Sequence, residues 1–189
     1  MFNISAVIFA GGASSRMGRN KALLPFGEYE TLAQYQYERL KPLFKKVYIS
    51  TKTPKQFLFT DNFIIDSHDV SAPTVGLIST IEQLAEERFF VLSVDTPFVR
   101  QKEIEKIFSE DSKEPSDATV ARVGSKIHPL CGIYHSSMKS ELQKMIDEDS
   151  HKLQILLGEQ NTIYVDFNDE HSFSNLNYLD EYKRALSLI

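Results

Sequence analysis

The sequence predicts an α/β fold: a single domain over residues 1–189, built as three layers, with a mainly parallel sheet carrying helices on both faces. Three observations lead there. Short apolar runs of strand length alternate with segments of helical spacing along the chain. A length of 189 residues supplies one good hydrophobic core and too little for two. The composition is globular, 42% hydrophobic and 25% charged, with eight glycines and seven prolines, which excludes disordered, collagen-like and low-complexity chains.

The elements follow in order. Ile4–Ala10 is a run of β-branched and aromatic residues, the pattern of a buried parallel strand. Gly11–Asn20 is a loop of small and basic residues. Thr31 caps a helix running to about Phe44, its apolar face made by Leu32, Tyr35, Leu40 and Leu43. Lys46–Ser50 is the second strand, a short helix follows at Pro54–Phe59, and Phe63–Ile65 is a third, brief strand. Gly76–Glu87 has helical spacing at Leu77, Ile81, Leu84 and Ala85. Phe89–Val94 is the most apolar strand and ends in Asp95-Thr96-Pro97. Arg100–Ser109 reads as a helix, and the polar stretch Glu110–Asp117 as a surface loop. Ala118–Val123 and Pro129–Tyr134 read as strands, Ser137–Glu148 as a helix, Thr162–Phe167 as a late strand and Tyr178–Leu188 as a closing helix. The order of elements is Rossmann-like. There are no internal repeats.

Several function classes drop out. Cys131 is the one cysteine, so an intramolecular disulfide and a cysteine-based zinc site are excluded. No run approaches the roughly 18 apolar residues of a membrane helix, and Met1–Ala10 lacks the basic region of a secretory signal. A reducing, cytoplasmic setting without membrane attachment is the expectation. The net charge of −5 argues against a nucleic-acid partner. Yet residues 1–21 hold Arg16, Arg19 and Lys21 and no acid. A basic, glycine-bearing segment at the front of an acidic protein points to a local anion site.

In a parallel sheet, ligands bind beyond the carboxyl ends of the strands. Two features stand at that edge. Ala10-Gly11-Gly12-Ala13-Ser14-Ser15-Arg16-Met17-Gly18-Arg19-Asn20-Lys21 follows the first strand. Its small residues let backbone N–H groups approach a polyphosphate, and Arg16 and Lys21 add positive charge. It is neither a P-loop nor a dinucleotide fingerprint, because Gly12 and Gly18 are six residues apart and no Gly-Lys-Ser/Thr follows. Asp95, directly after Phe89–Val94, is the second feature. A carboxylate there suits Mg²⁺, a hard ion held by one or two carboxylates plus phosphate oxygens and water. Asp66, ending the third strand, stands at the same edge.

These residues carry a resemblance. Ala10–Lys21 resembles the L-A-G-G-x-S-x-R-M-G-x-x-K signature of nucleotidyltransferases that act on phosphorylated small molecules, and Asp95-Thr96-Pro97 resembles their D-x-P metal motif. His128-Pro129-Leu130-Cys131-Gly132-Ile133-Tyr134 is similar to the H-P-L-x-G-x-Y stretch of the molybdenum cofactor guanylyltransferases, the MobA family, and Phe173–Asn177 to that family's N-x-N segment. The resemblance implies the nucleotide-diphospho-sugar transferase type of fold and transfer of GMP from GTP to the terminal phosphate of molybdopterin, with Mg²⁺ and release of pyrophosphate. It implies that Phe9, Ala10, Gly11, Gly12, Ser50, Asp66 and Lys21 bind nucleotide, that Asp95 binds both nucleotide and metal, and that Lys21, Arg16 and Asp95 carry catalysis. His128, Asn175 and Asn177 fall on the acceptor side, and hand-over with other proteins that handle the cofactor is a further implied partnership. Two positions depart from the family pattern: Ser50 stands where asparagine is common, and Ala72 where the Gly-Pro-Leu-x-Gly loop has its first glycine. A cytidylyl- or uridylyltransferase acting on a sugar or polyol phosphate, and a non-catalytic nucleotide-binding protein, remain as alternatives. Gly12 and the His128–Tyr134 stretch argue against the first, and Lys21 with Asp95 against the second.

Overall fold

A computed structural model of the protein describes residues 1–11, 20–66, 68 and 70–188. Gly12 and Arg16, both expected at the site, lie outside these residues. The sheet has seven strands: β1 (Phe2–Phe9), β2 (Phe44–Thr51), β3 (Phe63–Ile65), β4 (Arg88–Ser93), β5 (Ala118–Val123), β6 (Lys126–His135) and β7 (Thr162–Phe167). Their order is β3-β2-β1-β4-β6-β5-β7. All run parallel except β6, which is antiparallel to both β4 and β5. The helices are α1 (Leu32–Leu40), α2 (Pro73–Leu84), α3 (Gln101–Asp111), α4 (Lys139–Asp147), α5 (Leu153–Glu159) and α6 (Leu179–Leu186).

The two-residue alternation of β1 divides the core. Ile4, Ala6 and Ile8 pack on one face with α1, α3 and α6, while Val7 and Phe9 face α2, α4 and α5 on the other. Both faces are dry, which is why the central strands read as unbroken apolar runs.

Several boundaries shift for identifiable reasons. Thr31 caps α1 as expected, its hydroxyl accepting the Gln34 N–H at 3.0 Å. The helix stops at Leu40 instead of Phe44, because Pro42 has no N–H with which to extend the ladder, and Phe44 opens β2. α2 starts at Pro73, not Gly76; proline at the first helical position loses no hydrogen bond. It ends where Ala85 turns left-handed, at φ 50°. The expected Pro54–Phe59 helix is a single 3-10 turn at Pro54–Gln56. α5 is an addition to the elements expected from sequence; its Leu153, Leu156 and Leu157 have helical spacing and are buried.

β6 begins three residues earlier than expected, and Pro129 lies inside it. The pairing explains how. Val120 faces Gly132 but Ala121 faces His128, so one step on β5 spans a bulge on β6 containing Pro129.

Candidate active site

The carboxyl ends of β1 to β4, joined by the start of β6, form one edge, and the candidate site is built there. Ala10 continues β1 by donating its N–H to Ser50 O at 3.1 Å. Phe9, Ala10, Gly11, Ser50 and Asp66 line a cavity of about 400 Å³ with Pro73 and Gly76 of α2. Phe9 forms its wall: a Cβ on Gly76 would come within 2.4 Å of the Phe9 ring, so only glycine lets α2 lie this close. Ser50 donates its hydroxyl to Asp66 Oδ1 at 3.0 Å, and Asp66 Oδ2 lies 3.5 Å from where a Gly11 Cβ would stand. Burial pushes the Asp66 carboxyl above the usual carboxylate range, against the opposing pull of the Ser50 hydroxyl and the Lys52 charge.

A second cavity shares Gly11, Pro73, Ser93 and Leu130 with the first and extends past Asp95, His128, His151 and Asn175. Asp95 is 9% exposed. Its Oδ1 accepts the Ser93 hydroxyl at 2.6 Å and its Oδ2 accepts Lys21 Nζ at 2.7 Å. Lys21 also donates to Asn177 Oδ1 at 3.1 Å. Residues 74 and 156 positions from Lys21 thus meet at one ammonium. The Asn175–Asn177 segment is held in place by the Leu176 N–H, which donates to Asp95 O at 2.9 Å. Glu181 accepts the Asn177 and Tyr178 N–H groups at 2.7 and 2.9 Å, which caps the start of α6. Among the described residues, Asn175 Oδ1 is buried without a hydrogen-bond partner. A buried amide oxygen without a protein partner can accept from a ligand or an ordered water.

His128 stands in the second cavity with its ring 5.2 Å from that of Phe173. Burial, with Lys126 adding repulsion, pushes its imidazole down to about 4, so it is neutral near pH 7. Three residues outside the expected site set support its geometry, two of them, Gly132 and Tyr134, from the His128–Tyr134 motif. Tyr134 donates its hydroxyl to Pro129 O at 2.7 Å and so latches the β6 bulge that presents Leu130 to both cavities. Gly132 lies so close to β5 that a Cβ would come within 2.3 Å of Thr119 O. His151 Nδ1 is 2.7 Å from Thr74 Oγ1 in the first turn of α2. The Pro-x-x-Gly-x-Tyr spacing was the available signal for the first two. Cys131 is buried, and its thiol is pushed up to about 12, so it is core and unreactive.

Among the described residues no cluster of three or more His, Cys, Asp or Glu side chains could cage a metal. The donor set at Asp95 is a single carboxylate beside a lysine. This fits an ion that takes few protein ligands and completes its shell with phosphate and water, as Mg²⁺ does. No described helix is long and apolar enough to cross a membrane. The arrangement as a whole is two adjoining cavities, the second lined by a carboxylate, Asp95, that is paired with the Lys21 ammonium, a layout suited to anionic reactants.

Comparisons with known proteins give the family. The MobA-like NTP transferase domain family matches residues 6–163. A molybdenum cofactor guanylyltransferase of Campylobacter jejuni is 36% identical over 190 residues, covering 97% of this chain and 96% of its own. One from Helicobacter pylori is 31% identical over 193 residues, covering 99% of this chain and 94% of its own. The crystal structure of the molybdopterin-guanine dinucleotide biosynthesis protein A of Archaeoglobus fulgidus superposes with a TM-score of 0.83 over 98% of both chains at 23% identity, which shows a shared fold. On the family match and the extent of these identities, the chain belongs to the MobA-like NTP transferases.

Proposed function

We propose that this protein transfers GMP from GTP to the terminal phosphate of molybdopterin, releasing pyrophosphate and forming the guanine dinucleotide of the cofactor. The observation that carries the reading is the Lys21–Asp95 pair, 2.7 Å apart, with Asp95 lining the second cavity and bound to Ser93, a residue both cavities share. The Campylobacter and Helicobacter relatives are named molybdenum cofactor guanylyltransferases, which supports a guanylyl donor and a molybdenum-cofactor acceptor.

In this reading the nucleotide lies in the cavity of Phe9, Gly11, Ser50 and Asp66, with its phosphates toward Lys21. The acceptor lies in the cavity of His128 and Asn175, and its phosphate points at the same lysine. A phosphate oxygen of the acceptor bonds to the α-phosphorus while the bond to the β-phosphate oxygen breaks, and pyrophosphate leaves with that electron pair. The nucleophile is already ionised near pH 7, so no side chain need remove a proton. Lys21, assisted by Arg16, offsets the repulsion between two anions and the charge gathering on the leaving group. Asp95 would hold Mg²⁺, which when bound neutralises triphosphate charge. His128, neutral at this pH, offers a hydrogen bond without adding charge, and Asn175 offers its unpartnered oxygen to a donor on the acceptor. A cytoplasmic setting accords with the single buried thiol.

The test is calorimetry of GTP, CTP, UTP and ATP with Mg²⁺ on wild type and Asp95→Ala, followed by pyrophosphate release with molybdopterin. GTP preference, Mg²⁺ dependence lost in the variant, and release only with the acceptor are expected. Preference for CTP or UTP, or binding without turnover, overturns the reading.

A further inference from the structure

β3 is an edge strand of the sheet, as β7 is on the other side, and has three residues. Its last contact with β2 is a long one, the Asp66 N–H to Thr51 O at 3.4 Å. A strand this short, paired on one side, is weakly held, yet it delivers Asp66 to the nucleotide cavity. The outer edge at Ile65 is closed from another element. Gln83, on α2, accepts the Ile65 N–H at 3.1 Å with Oε1 and donates Nε2 to Ile65 O at 2.7 Å. One amide side chain thus satisfies both backbone groups of the residue just before Asp66, as a neighbouring strand would. The same helix supplies Pro73 and Gly76 to the cavity.

We propose that Gln83 is a positioning residue for the nucleotide: its two-point clamp on Ile65 holds the end of β3 so that Asp66 faces the cavity beside Gly11. The proposal rests on the reading that Asp66 contacts the nucleotide. Glutamine suits the task because its amide carries one acceptor and one donor side by side, matching the N–H and C=O of one extended residue. Leucine keeps the size and removes both bonds. Glutamate keeps the acceptor for the N–H and sets a carboxylate against the carbonyl.

The experiment is a double-mutant cycle on the full chain, reading the Kd for GTP with Mg²⁺ in wild type, Gln83→Leu, Asp66→Asn and the double variant, with hydrogen exchange followed at the Ile65 amide. Gln83→Leu is expected to weaken GTP about three- to tenfold, the range of one or two exposed hydrogen bonds, and to speed exchange at Ile65. Gln83→Glu should fall between it and wild type. In the Asp66→Asn background the Gln83→Leu effect should vanish. Faster exchange with unchanged Kd would show an edge clamp that positions nothing, and overturns the proposal. An equal loss in both backgrounds overturns it as well, because Gln83 would then act by another route. If Asp66→Asn alone leaves Kd unchanged, the reading of Asp66 fails and takes the proposed route with it, whatever Gln83→Leu does to exchange.

Discussion

Alanine at two helical glycines should move stability in opposite directions. Gly76 in α2 and Gly158 in α5 both have ordinary helical backbones, so each substitution by alanine gains up to about 1 kcal/mol of helix propensity. At Gly158 nothing lies within 4 Å of the added Cβ, so the gain stands. At Gly76 the Cβ would sit 2.4 Å from Phe9 Cε1 and 3.0 Å from Cδ1, about an ångström inside ordinary contact. Phe9 is 7% exposed and packed in the core, so its ring yields by moving toward the cavity it lines. Overpacking of this kind costs about 1–3 kcal/mol, which leaves Gly76→Ala a net loss of up to about 3 kcal/mol. For a chain of this size each kcal/mol shifts Tm by roughly 2–4 °C. Differential scanning calorimetry should therefore place Gly158→Ala about 1–3 °C above wild type and Gly76→Ala several degrees below it. The displaced ring should also weaken GTP; about 1 kcal/mol of lost fit is roughly fivefold in Kd. If Gly76→Ala melts with or above Gly158→Ala and binds GTP like wild type, the claim that glycine is needed for α2 to approach Phe9 is wrong.

Three further outcomes follow from the site. Lys21→Ala should lower turnover roughly 10²–10³-fold, the usual effect of removing one electrostatic donor, while far-ultraviolet circular dichroism stays native; full turnover would remove Lys21 from the mechanism. Asp66→Asn should raise stability at pH 7 while weakening nucleotide binding. Burial raises the Asp66 pKa, so the folded state holds that proton more tightly than the unfolded one, and the ionised group costs stability above its unfolded pKa. The advantage of the asparagine in urea titrations should disappear at pH 3. His128 works in the other direction. Its folded pKa of about 4 lies below the unfolded 6.5, so wild type loses stability relative to His128→Gln as pH falls from 6.5 toward 4, and the difference levels off below that. A flat difference between the two urea curves across that window would show that His128 is not buried as a neutral ring.

Much of the architecture was legible in the chain. Phe89–Val94 and Ile4–Phe9 are buried on both faces, so their apolar residues are contiguous and need no partner to be recognised. Thr31 announced α1, and Asp95 and Asp66 were found because a residue that ends a strand in a parallel sheet falls on the binding edge by topology alone. Pro73 was misread because proline marks a loop in most contexts, whereas at the first helical position it costs nothing. β6 was cut short at Pro129 because a proline inside a strand becomes tolerable only with a bulge, and the bulge exists only in the pairing with β5.

The sequence by itself determined which residues are apolar, where most of the elements lie and which functional groups end the strands, because local pattern and the succession of elements along the chain carry that information. Only the tertiary structure decided that Lys21 meets both Asp95 and Asn177, that Ser50 serves Asp66, that Tyr134 latches Pro129 and that Gln83 closes the edge beside Asp66. Hydrogen bonds are short and directional, and most of these pairs are separated by many residues. Their partners are set by how helices and strands settle against one another, and no local spacing along the chain records that outcome.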